Sequence, residues 1–208
     1  MIRVYTSSAR TSYCDDTRLS SSCEYALSGF MAAVVKACND DQAQSFKTAG
    51  EFKLGVAAKT AATDSKAATA DADGVVAMYT DFGAAVVGAD GKILAALTEA
   101  IQPKIAINNL GEIVDKTFVD TKRVLKSGYG MEGKVDNNGD GVMKEWFQQA
   151  DAYAKYAVGK TGAELKGMET ELVNNHYISK DKALLSAGCT IQITGICAVV
   201  AQSVTNAR

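Results

Sequence analysis

The sequence predicts an all-α fold: a helical bundle of about five to seven helices with a possible short β-hairpin near residues 84–95. Three observations carry that expectation. Pro103 is the sole proline, so long stretches of chain contain no residue that breaks a helical ladder. Alanine recurs throughout, and it has the lowest helical cost of any residue. Apolar residues recur at helical spacing in several segments, which lays one stripe along each.

Residues 1–19 are polar and rich in Ser and Thr. They read as an N-terminal arm ahead of a single helical domain over 20–208, with a loop insertion at 128–147. Ser20, Ser21 and Ser22 offer N-caps, because a hydroxyl accepts from the free amides of a first helical turn. Tyr25, Leu27, Phe30, Met31, Val34 and Val35 then form an apolar stripe that ends near Asn39, Asp40 and Asp41. From Gln42 to Ala72 the large apolar groups Phe46, Phe52, Leu54 and Val56 come first and mostly alanine follows. A helix of that kind approaches a neighbour closely but buries little area per residue, so it suits an assembly or bundle.

Around Ala89, Asp90 and Gly91 the chain fits either strand, turn and strand or helix, turn and helix. The helical pattern of KILAALTEAI, residues 92–101, favours the second. Beyond Pro103, the spacing of Ile113, Val114, Phe118, Val119, Val124 and Leu125 predicts a helix stopped at Gly128 and Gly130. Trp146, Phe147, Ala150, Tyr153 and Ala157 predict another. A shorter helix over 163–173 leads into Asn174, Asn175 and His176.

Ala183 to Ala207 is a run of 25 residues without a charge, which exceeds the ~20 that a transmembrane helix needs. Thr190, Gln192, Thr194, Gln202, Ser203, Thr205 and Asn206 lower its hydrophobicity, and no aromatic belt flanks it. Burial in the fold or in a subunit interface is therefore expected, with membrane contact through 183–207 as the lesser alternative.

The sharpest chemical pattern is KVDNNGDGVMKEW, Lys134–Trp146. Calcium takes oxygen ligands from alternate positions of a short loop. Asp136, Asn138 and Asp140 supply them here, Gly141 permits the sharp turn, Val142 offers its carbonyl, and Met143 is placed to pack the loop on a core. This dozen residues resembles an EF-hand or dockerin loop. It departs from that pattern at the position of the closing acid, which is Phe147, and at Lys144, where an oxygen is expected. Glu145 is the candidate to close the shell, or else Asp151 from the next helical turn. A hydrogen-bonded Asx-type turn without an ion is the competing reading. Asp71 to Gly74, with Asp81 beyond, is a weaker acidic piece.

Composition narrows the function classes. The formal net charge is −2, and Lys and Arg are spread along the chain, which leaves no clear nucleic-acid footprint. The five cysteines, Cys14, Cys23, Cys38, Cys189 and Cys197, include no CxxC pair, so neither a structural zinc site nor a dense disulfide scaffold is expected. In a processed chain Cys14/Cys23 or Cys189/Cys197 could be bridged. MIRVYTSSARTSYCDD lacks the apolar core of a secretory signal, so an intracellular protein, or part of an assembled particle, is expected. His176 is the only histidine and has no motif around it, and there is no phosphate-binding glycine loop of the GxxxxGK[ST] or GxGxxG type.

The expectation is thus a non-enzymatic helical structural subunit, a filament, coat or similar homo-oligomer, carrying a divergent calcium loop. A calcium-responsive regulatory or binding protein and a membrane-inserting helical protein are the alternatives.

Overall fold

Phe52–Ala61, in the stretch expected to be alanine-rich helix, is a ten-residue strand, β1. It overturns the all-α expectation. In the computed structural model, which describes residues 28–39, 46–48, 50–117, 120–135 and 141–208, the chain is mixed α/β, 32% helical and 31% strand. The described residues hold eight strands in three antiparallel sheets and six helices. The chain divides into two compact units, Met1–Ser45 and Phe46–Arg208. Helix α1 (Ser28–Asn39) lies in the first, on the predicted apolar stripe, with Phe30, Val34 and Val35 exposed.

In the second unit the next strands are β2 (Gly74–Ala77), β3 (Tyr79–Gly88), β4 (Ile93–Ile101), β5 (Lys104–Ile107) and β6 (Ile113–Thr117). One sheet has the order β1-β3-β4 and a second the order β2-β5-β6. The helix, turn and helix reading around Asp90-Gly91 is overturned, because β3 and β4 form a hairpin there. Its turn is set by side-chain chemistry. Asp90 Oδ1 accepts from the Lys92 amide at 3.1 Å, and Gly91 takes φ +77°, a conformation that costs glycine little. The turn between β5 and β6 is built alike: Asn108 Oδ1 accepts from the Leu110 and Glu112 amides, and Gly111 has φ +81°.

The alanines and glycines mislead because they line the inner face of a sheet. On β3, Asp81, Gly83, Ala85 and Val87 are buried and alternate with more exposed neighbours, the period-2 pattern of a strand with one covered face. Helix α6 (Thr194–Asn206) lies across that face. A Cβ on Gly55 would stand 1.8 Å from the Ser203 carbonyl oxygen, and one on Gly83 2.8 Å from Val199 backbone atoms. Small residues here let helix and sheet backbones touch. Tertiary packing outweighs the helical preference of alanine.

The remaining elements are α2 (Lys122–Leu125), a 3-10 turn (Lys126–Tyr129), α3 (Trp146–Ala157), α4 (Gly162–Lys166), β7 (Thr170–Val173), β8 (His176–Ser179) and α5 (Lys182–Ser186). The helices predicted over 113–125 and 163–173 are therefore each half strand. Asn174 and Asn175, with φ +49° and +64°, make the tight turn of the β7–β8 hairpin, a conformation that asparagine tolerates in two-residue hairpin loops. Trp146, Tyr153, Leu165, Leu184, Ile193, Ile196 and Val200 join Ile93, Ala96 and Ala100 of the sheet in one core.

The uncharged 183–207 segment splits into α5, a turn and α6, and Ile196, Val199, Val200 and Ala201 are buried within this unit. No helix among the described residues is long and apolar enough to cross a membrane. Residues at the end of α6 also cover the outer edge of β1. Leu54 and Arg208 exchange two main-chain hydrogen bonds of 3.3 Å, and Asn206 Nδ2 donates to the Val56 carbonyl at 3.0 Å.

Candidate functional site

A group of charged side chains gathers where α2 meets the sheet. Helix α2 has four residues and its N-cap, Thr121, makes no side-chain cap bond. So short a helix has little stability of its own. It is held by its first two side chains, Lys122 and Arg123, both buried.

The Lys122 ammonium lies over three rings, 4.6 Å from the centroid of Tyr79, 4.5 Å from Tyr129 and 5.3 Å from Trp146. Each distance is within the reach of a cation–π attraction. Nζ also donates to the Tyr79 hydroxyl at 3.0 Å, and Tyr129 donates to Gln102 Oε1 at 2.9 Å. Burial pulls Lys122 down to about 8, against the opposing pull of Asp81 and Glu99. The Tyr79 and Tyr129 hydroxyls are pushed up, first by burial and then by nearby acidic groups.

Arg123 reaches the other way. Its Nε donates to the Thr98 carbonyl at 2.5 Å and its Nη1 to Asp151 at 2.8 Å, while its main-chain amide donates to Glu99 Oε1 at 3.1 Å. One residue thereby ties α2 to β4 and to α3. Asp81, on β3, sits opposite Lys59 of β1 and against the first turn of α6, so close that a Cβ on Gly195 would lie 2.0 Å from its Oδ2. Burial raises Asp81 to about 6, with Lys122 and then Lys59 opposing.

Of the residues expected to bind calcium, Asp136, Asn138 and Asp140 lie outside the described residues. Val142 is exposed and bridges to Val135, and the Met143 amide donates to the Lys134 carbonyl at 2.7 Å. Met143 is buried, as its place in the pattern suggested. Glu145 is buried at the N-cap of α3. Its carboxylate accepts from the Met131 and Glu132 amides at 3.1–3.2 Å, while its own main-chain amide donates to Gln148 Oε1 at 3.0 Å. Asp151, the alternative closing ligand, pairs with Arg123. Among the described residues, no group of three or more His, Cys, Asp or Glu side chains could hold a metal ion. His176 is exposed at the start of β8. Cys189 and Cys197 are buried free thiols, and burial pushes Cys189 up to about 12.

Sequence reasoning did not find the Lys122 cluster. Its parts are scattered over residues 79, 81, 99, 122, 123, 129, 146 and 151, and only the hairpin and α3 bring them together. The one local signal is two adjacent cations, Lys122 and Arg123, beside the apolar Val124 and Leu125, where a four-residue helix must bury part of its charge to pack at all. A groove of about 710 Å³ between β1, α4 and α6, half of whose lining residues are alanine or glycine and which also includes Lys59 and Lys166, is a separate surface feature. Comparison with family models, with curated proteins and with solved structures finds no match to this chain.

Proposed function

We propose that the chain is a non-enzymatic subunit that works by self-association, and that the face of the β1-β3-β4 sheet turned away from α3 and α6 is its contact surface. The observation that carries this reading is the exposure of large apolar side chains on that face: Phe52 52%, Leu54 55% and Val56 64% on β1, and Phe82 39% on β3. The register places them together, with Ala58 opposite Phe82, Val56 opposite Ala84 and Leu54 opposite Val86. Helices α3 and α6 pack the other face. Clustered apolar exposure of this kind marks an interaction surface more often than scattered single residues do.

The contact is weak on energetic grounds. Four side chains already half covered would contribute on the order of 4 kcal/mol, near the lower end of the ~4–15 kcal/mol that association costs. Such an interface assembles at high local concentration or through repeated contacts. Calcium on Asp136, Asn138, Asp140 and the Val142 carbonyl belongs to the same reading, as a stabiliser of the folded subunit. What supports it is the closure at the base of that loop, where the Val135–Val142 bridge and the Met143–Lys134 bond hold the flanking residues together.

Sedimentation velocity over a wide concentration range tests the proposal. Wild type is expected to shift to larger species as concentration rises, and Val56→Lys with Phe82→Lys to remain monomeric while keeping its circular dichroism spectrum. A wild type that stays monomeric at every concentration overturns it.

A further inference from the structure

We propose that Tyr79, Tyr129 and Trp146 form an ammonium-binding box that the chain keeps filled with its own Lys122. The ligand class is a primary alkylammonium. The inference is independent of the self-association reading.

The geometry separates a cation site from ordinary packing. It is the charged end of Lys122 that is surrounded: three ring centroids lie within 4.5–5.3 Å of Nζ, and a phenol oxygen accepts from it at 3.0 Å. Ring faces carry the negative side of the aromatic quadrupole and attract a cation most when water is excluded. Asp81 and Glu99 add negative potential at the same point. An alkane of similar volume would gain the packing but none of these electrostatic contacts.

The box and its occupant belong to different elements. Tyr79 opens β3 and Trp146 opens α3; Trp146 belongs to the main core and Tyr79 packs against it, so two of the three walls are carried by elements other than α2. Lys122 is carried by a four-residue helix that leads into the 3-10 turn through Lys126, at φ +48°, a positive angle that a non-glycine side chain adopts at some cost. The occupant is thus mounted on a weakly self-stable segment and plugs a preformed aromatic pocket. Removing the side chain beyond Cβ leaves space of the size and polarity that a small alkylammonium fills.

The chain's one tryptophan is a wall of the box, so its fluorescence reads the site directly. In Lys122→Ala, Trp146 emission is expected to shift to longer wavelength and the melting temperature to fall. Adding n-propylammonium or n-butylammonium is expected to reverse both in a saturable manner, whereas sodium chloride at equal ionic strength and the matching alcohol do not. No response to alkylammonium beyond the salt control, in a variant whose far-ultraviolet circular dichroism is native, overturns the proposal. Should Lys122→Ala fail to fold, the intact protein gives the second measurement. Ring currents from the three walls are expected to move the Lys122 ε-methylene protons well upfield of the free lysine position, and Tyr129→Leu to return them part of the way. An unshifted ε-methylene resonance overturns the box itself.

Discussion

The Asp81 carboxyl fills the space that a side chain on Gly195 would need: a Cβ there would lie 2.0 Å from Oδ2 and 2.8 Å from Cγ. A buried acid of β3 thus faces the amino end of α6, where the partial positive charge of the helix favours an anion. Burial nevertheless raises its proton affinity, to a pKa of about 6. The sign follows from linkage. A carboxyl with a raised folded pKa contributes stability that is fully present below about pH 4 and lost as pH rises through about 6. Wild-type unfolding free energy is therefore expected to fall by about 2–3 kcal/mol over that interval from this group. Asp81→Asn should flatten the limb, measured by urea denaturation at a series of pH values.

Lys122 acts on the alkaline side. Its pKa is pulled down to about 8 by burial, so its contribution is fully present above about pH 10.5 and is lost as pH falls through about 8. Wild type should gain stability from this group between those values. Lys122→Met should lack that rise in the same titration.

Arg123 carries three connections at once, to Thr98, Glu99 and Asp151. Arg123→Met keeps the volume but removes both side-chain bonds, and a cost of about 3 kcal/mol is expected for breaking a buried charge network from one side. Asp151→Asn should cost only about 1 kcal/mol, because Asp151 remains partly in water and its amide oxygen still accepts. Chemical denaturation of both variants checks the ratio.

Helix α6 and the sheet touch through glycine. Gly55→Ala and Gly83→Ala each force backbone apart, since the nearest atoms met by the new methyl are main chain. Losses of about 1–3 kcal/mol are expected at each, with Gly55 the larger because its contact, at 1.8 Å, is the closer. Melting temperatures of the two variants decide the order.

Glu145 closes the loop base through main-chain amides, and Glu145→Ala should cost about 1–3 kcal/mol by leaving those donors without an acceptor. Faster hydrogen exchange at Met131 and Glu132 is the direct readout. The same chemistry separates Glu145 from the proposed calcium ligands. A calcium-dependent rise in melting temperature should vanish in Asp140→Asn and persist in Glu145→Gln, whose side-chain oxygen still accepts from the loop amides.

How much was legible in the sequence depends on what each element packs against. Trp146, Ala150, Tyr153 and Ala157 mark α3 plainly, because their helical spacing answers a single core, and all four are buried. Of the strands β1, β3 and β4, only the hairpin near residues 84–95 was legible, as the alternative to a helix pair, and β3 and β4 form it; β1 and the full length of the other two were not. Their inner faces carry Gly55, Ala57, Gly83, Ala85 and Ala96 so that α6 and α3 can come close, and a row of small residues has no pattern that separates strand from helix. The candidate loop was visible in the sequence only as a pattern, whose Asp136, Asn138 and Asp140 lie outside the described residues, and the capping role of Glu145 depends on Met131 and Glu132 being folded back to it. The lysine box needed the whole topology.

The position of α6 has a consequence for how the molecule is made. Asn206 bonds to Val56 across 150 residues of chain, and the inner surface of β1 and β3 is covered by a helix that follows them by more than a hundred residues. During synthesis the hairpin emerges early and must wait with that surface bare. Such distant pairings slow folding and expose the growing polypeptide to premature aggregation, because the capstone arrives only after the surface it covers.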